Sequence, residues 1–94
     1  MQHYGYHDNK DQLITRLKRA EGQVRGIARM IEEDKYCIDI LTQISATEAA
    51  LDKVALELLR EHSNHCLADV SLSEADRRAK SDELVSAVGR LLSK

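Results

Sequence analysis

Leu13, Leu17, Ala20, Val24, Ile27 and Ile31 recur at spacings of four, three, four, three and four. That is the heptad stripe of a long packed helix, and it predicts one over about residues 9 to 33. Gly22 and Gly26 lie together off the stripe, each costing ~1 kcal/mol relative to Ala in a helix interior. Close approach of a second helix, or of a DNA backbone, would account for them. Asp34, at the end of the acidic run Glu32-Glu33-Asp34, is the expected N-cap of the next helix. A second register runs Cys37, Leu41, Ile44, Glu48, Leu51, Ala55, Leu58 and His62, with Cys66 four residues on. It predicts a helix over about 36 to 66, which no Gly or Pro interrupts. Ile38, Ile40, Val54, Leu56 and Leu59 are apolar on its other faces, so this helix should pack against both the first helix and a second chain. Residues 69 to 74 read as a short connection, with Ser73 as N-cap and Asp76 in place of the usual capping-box Glu. A third, shorter helix follows over about 74 to 92, with Leu84, Val85, Val88, Leu91 and Leu92 on its apolar face. Residues 1 to 8 are expected to be a mobile tail.

Composition fits an all-α chain of three helices, two long and one short. Pro, Phe and Trp are absent from the 94 residues, so one small domain must build an aliphatic core. A domain of this size buries a modest share of its surface, and oligomerisation would help it. No apolar run approaches the ~20 residues of a membrane span, and the polar N-terminus lacks the apolar core of a signal peptide. A cytoplasmic protein with no membrane partner is expected. There, two cysteines serve as thiols, metal ligands or redox sensors rather than as a structural disulfide. The net charge of −2 hides an asymmetry. Lys10, Arg16, Lys18, Arg19, Arg25 and Arg29 face only Asp11 and Glu21 over residues 10 to 29, a local +4 that leaves −6 for the rest. The basic helix is either a surface for a polyanion or a solvated helix face.

His62 and Cys66 are four apart, which places them ~6 Å from each other on one helical face. Cys37 lies 25 residues before His62, ~37 Å away along a straight helix. One metal ion cannot reach both ends of that rod. Either the helix folds back, or the third ligand comes from a second copy, which is the preferred reading. Two such helices packed antiparallel about a midpoint near residue 51 would bring Cys37 of one to His62 and Cys66 of the other. Ala46, Ala49, Ala50 and Ala55 would allow the close approach. The result is a symmetric dimer with two identical Cys-His-Cys sites. Two thiolates and an imidazole are soft donors, which select Cu(I), Zn(II) or related thiophilic ions. Structural zinc prefers four ligands at closer spacing, whereas Cu(I) accepts three, so the set favours Cu(I). The bland alternative makes Cys37 and Cys66 small buried apolar residues. A Cys-His catalytic pair would need an oxyanion hole or strand-turn-helix signature that this sequence does not offer, so an enzyme is not expected. His65 faces elsewhere on the helix as a solvated residue; His3 and His7 belong to the tail.

The run Arg16-Leu17-Lys18-Arg19-Ala20-Glu21-Gly22-Gln23-Val24-Arg25-Gly26, the pair Tyr36-Cys37 with Ile40-Leu41-Thr42-Gln43-Ile44-Ser45-Ala46, and His62-x-x-x-Cys66 together resemble the CsoR/RcnR family of bacterial metal-sensing transcriptional repressors. The resemblance extends from about Lys10 to Leu92, and the Cys-x24-His-x3-Cys spacing is that family's copper-type pattern. It implies an antiparallel four-helix-bundle dimer that pairs into a tetramer, with Cu(I) held between subunits by Cys37, His62 and Cys66. It implies that Tyr36 and Glu83 hydrogen-bond near the His62 ring, where such groups fix the ring and tune the ligand. It implies double-stranded operator DNA as partner, bound on a basic face without a helix-turn-helix. Arg16 and Lys53 match the contact positions, with Lys18, Arg19 and Arg25 adding charge. Arginine is usual at the second position, so Lys53 keeps the phosphate charge and loses bidentate geometry. Metal binding is then expected to release the DNA and derepress copper-resistance genes. Nickel- and cobalt-type relatives end the pattern with His and recruit an N-terminal His; here Cys66 ends it, and the N-terminal position falls near Gly5, between His3 and His7. Persulfide-sensing relatives lack the His that this chain has at 62. A metal-buffering helical protein without a DNA role is the alternative outside that class.

Overall fold

A computed structural model of the chain describes residues 9–93, with the backbone alone over 65–68. The expected tail, His3 and His7 lie outside the described residues, as do the side chains of His65 and Cys66. Three helices follow one another: α1 over Lys10–Glu32, α2 over Cys37–Ala68 and α3 over Glu74–Leu92. There is no strand among the described residues. At 32 residues, α2 is ~48 Å long and spans the protomer.

α1 begins after Asn9 and carries Asp11 in its first turn and Arg29 in its last, each with the favourable sign for the helix dipole. It stops in a way the sequence reading misplaced. Asp34 does not cap α2; it takes a left-handed conformation with φ 56°. The Asp34 N–H donates to the Ile31 carbonyl at 3.1 Å, and the Lys35 N–H donates to the Met30 carbonyl at 2.9 Å. These two bonds form a Schellman motif, with Asp34 in the position usually held by Gly. α2 starts instead from Tyr36, whose carbonyl accepts the N–H groups of Asp39 and Ile40 at 3.0 and 3.2 Å.

The turn folds α1 back along the first part of α2. Leu13, Ala20 and Val54 are the buried apolar residues between them. Buried Thr47 satisfies its hydroxyl by donating to the Gln43 carbonyl at 3.0 Å. The seam has a period of seven on both helices: Leu13, Ala20 and half-buried Ile27 on α1, half-buried Ile40, then Thr47 and Val54 on α2. The rest of each apolar stripe lies outside this seam. Leu17, Val24 and Ile31 of α1, and Leu41, Leu51 and Leu58 of α2, are between 38% and 59% exposed. Covering these six would contribute roughly 1 kcal/mol each. That sum is comparable to the whole stability of an ordinary small domain, about 5–15 kcal/mol.

α3 has no buried residue. Ser73 caps it as expected, its hydroxyl accepting the Asp76 N–H at 3.1 Å. Upstream, the Asp69 carboxylate accepts the Ser71 N–H at 3.0 Å, and the Arg77 guanidinium donates to the Asp69 carbonyl at 2.9 Å. These bonds tie the start of α3 to the end of α2. No helix among the described residues is long and apolar enough to cross a membrane.

Candidate metal centre and nucleic-acid interface

The two ends of α2 carry the thiol and imidazole chemistry. Cys37 is its first residue, and the side chain is exposed. Tyr36 beside it is 69% exposed. His62 and Cys66 occupy backbone positions one turn apart near the other end. α2 is one helix without a break, so it does not fold back, and Cys37 stays ~37 Å from His62 within one chain. Among the described residues no group of three His, Cys, Asp or Glu side chains gathers into a metal site.

His62 is half-buried on the stretch of α2 that shares a groove with α3. It lines a groove of ≈340 Å³ whose other walls include Leu58, Leu59, Leu84, Val88 and Glu83. Glu83 thus borders the same space as His62, although 21 residues separate them in sequence. The groove is otherwise aliphatic, and a carboxylate there is suited to hold an imidazole N–H. Tyr36 is not part of this environment; it belongs to the opposite end of α2.

The basic residues divide into two sets. Arg16, Arg19 and Gln23 of α1 line a second groove of ≈390 Å³ together with Ala46, Ala49, Ala50 and Lys53 of α2. Antiparallel pairing of the hairpin brings Lys53 to the arginines across 34 or more residues of chain. None of these three cations has a carboxylate partner among the described residues. Lys18 and Arg25 lie seven residues apart on a different face of α1, more than a quarter turn around from that strip, and are exposed. Arg25 is paired with Glu21, Nη1 to Oε1 at 2.9 Å, an exposed i,i+4 pair of small energetic weight. Gln23 was not singled out by charge. Its spacing, seven from Arg16 and four from Arg19, is the signal that places it in the groove.

Residues 9–90 match the family model described as metal-sensitive transcriptional repressor. The chain belongs to that family. A repressor family sets aside the Cys-His enzyme alternative. Among curated members, the copper-sensing transcriptional repressor RicR of Mycobacterium tuberculosis is 54% identical over 90 residues, 95% of this chain and 94% of that protein. The crystal structure of the copper-sensing repressor CsoR with Cu(I) from Geobacillus thermodenitrificans aligns with a TM-score of 0.78 at 43% identity, covering 88% of this chain and 85% of the other. The nickel-responsive regulator InrS aligns with a TM-score of 0.73 at 35% identity, covering 87% and 91%. Metal-sensitive repressors of this all-helical kind need two functional surfaces, one for metal and one for DNA. The two ends of α2 and the basic α1–α2 groove are the candidates here.

Proposed function

We propose that this chain is a cytoplasmic Cu(I)-responsive repressor. On this reading residues 1–94 act as one domain, whose metal-free assembly holds operator DNA and whose Cu(I)-bound assembly releases it. The observation that carries the reading is the unbroken α2, with exposed Cys37 at one end and His62 and Cys66 a turn apart near the other. A two-thiol, one-imidazole set can close only if Cys37 of one protomer meets His62 and Cys66 of a second. The exposed stripe of Leu41, Leu51 and Leu58 is the surface on which two α2 helices would pair. The donor set fits a soft monovalent ion, since thiolates and imidazole select Cu(I) over hard cations. High sequence identity to a copper-sensing repressor supports the same choice over nickel.

Each residue has a distinct task on this reading. Cys37, His62 and Cys66 hold the metal. Glu83 orients the His62 ring from the groove it shares with it. Tyr36 approaches that ring from the partner protomer, because its own lies at the far end of α2. Arg16, Arg19 and Lys53 neutralise phosphates, and Lys18 and Arg25 extend the positive face. Two such dimers pair into a tetramer that spans the operator. Coupling is reciprocal: Cu(I) weakens DNA binding only by the factor by which DNA weakens Cu(I) binding.

The test is fluorescence anisotropy on a duplex enriched by the metal-free protein from a random-sequence pool. Anaerobic Cu(I) is expected to release the duplex from wild type, with a loss of affinity of tenfold or more, and to leave a His62→Ala variant bound. Release by Ni(II) with no response to Cu(I) would replace this reading with the nickel-responsive one. Unchanged anisotropy with both metals would reject metal-controlled repression.

A further inference from the structure

We infer that Gln23 is the residue of the α1–α2 groove that reads operator sequence, through its side-chain amide on a base edge. The inference rests on the DNA-binding reading above and deepens it. The groove holds three cations and one neutral polar side chain. Cations on phosphates give affinity and salt dependence but no sequence information; an arginine can also read guanine, and Gln23 is the one polar groove residue with no charge to pair with a phosphate. An amide offers a donor and an acceptor side by side, the pattern that matches N6 and N7 of adenine in the major groove. Gln23 is exposed, and its amide has no hydrogen bond among the described residues. No described residue of the protomer uses it.

Position supports the assignment. Arg16, Arg19 and Gln23 rise along one strip of α1 over seven residues, ~10 Å, about three base-pair steps. Gly22 precedes Gln23, and Gly26 lies one turn further on. A Cβ built on Gly26 meets nothing within 4 Å, and one on Gly22 meets only the Arg25 guanidinium at 3.9 Å. No bulky side chain at those two positions stands between Gln23 and an approaching duplex. That open space leaves the Gln23 amide accessible to a base edge while Arg16, Arg19 and Lys53 meet phosphates.

The test compares metal-free wild type, Gln23→Ala and Lys53→Ala on two duplexes, the one selected from the random pool and a scrambled version of it. Alanine is the better helix former, and circular dichroism checks that each variant stays helical. Gln23→Ala is expected to bind the selected duplex about tenfold more weakly, with unchanged affinity for the scrambled one and an unchanged salt slope. Lys53→Ala is expected to weaken both duplexes and to lower the salt slope by about one. Equal loss on both duplexes for Gln23→Ala, or no loss, would overturn the inference. An unchanged slope for Lys53→Ala would instead reject the groove as a DNA surface.

Discussion

Asp34 shows how one residue type can serve two neighbouring ends. Asp is a favoured N-cap, and an acidic run just before an apolar register invites that reading. The chain uses it to finish α1, with φ at 56° and the two reverse bonds to Ile31 and Met30. No Gly marks the junction, so the stop was not legible from composition. A non-glycine residue in the left-handed region carries a cost that Gly avoids. Asp34→Gly is therefore expected to stabilise the assembly by about 1 kcal/mol per chain, read as a higher thermal midpoint. A lowered midpoint would mean that the Asp34 carboxylate has a role beyond the turn. Ser73 went the other way: it caps α3 as expected, its hydroxyl accepting the Asp76 N–H.

At the level of the helix, periodicity located all three elements to within a few residues. It did not say which neighbour each face meets, because α2 is apolar on more than one side. The seam with α1 runs through Ile40, Thr47 and Val54, whereas the stripe through Leu41, Glu48, Leu51 and Leu58 is largely exposed. That division follows from hairpin geometry, which a heptad count does not contain. If the exposed stripe pairs with a second α2, then Leu51→Asp places a charge at the centre of the pair, where desolvation is costly. Sedimentation is expected to show loss of the wild-type assembly, with reduced helicity, while Ser45→Asp on an exposed position leaves it intact. A Leu51→Asp variant that remains fully assembled would place the dimer surface elsewhere. The connection from α2 to α3 was legible, but the contact that ties it down was not, since Arg77 reaching the Asp69 carbonyl is a contact between polar residues that carry no periodic signal.

For the whole molecule, the separation of Cys37 from His62 was readable from spacing alone, because an uninterrupted helix fixes distance along its axis. Glu83 was not, since it reaches the space beside His62 from another helix. Nor was the meeting of Lys53 with Arg16 and Arg19, which needs the register of the α1–α2 hairpin. The central claim is that each metal site is built from two chains. Mixing two inactive variants tests it directly. On that claim, Cys37→Ala and His62→Ala would each break both sites of their own dimer. In a mixed dimer, the His62→Ala chain still supplies Cys37, and the Cys37→Ala chain still supplies His62 and Cys66, so one site is whole. After subunit exchange, anaerobic Cu(I) titration against a competing chelator is expected to recover tight binding that neither variant has alone, at no more than one site per mixed dimer. No recovery, with exchange verified, would contradict a shared site.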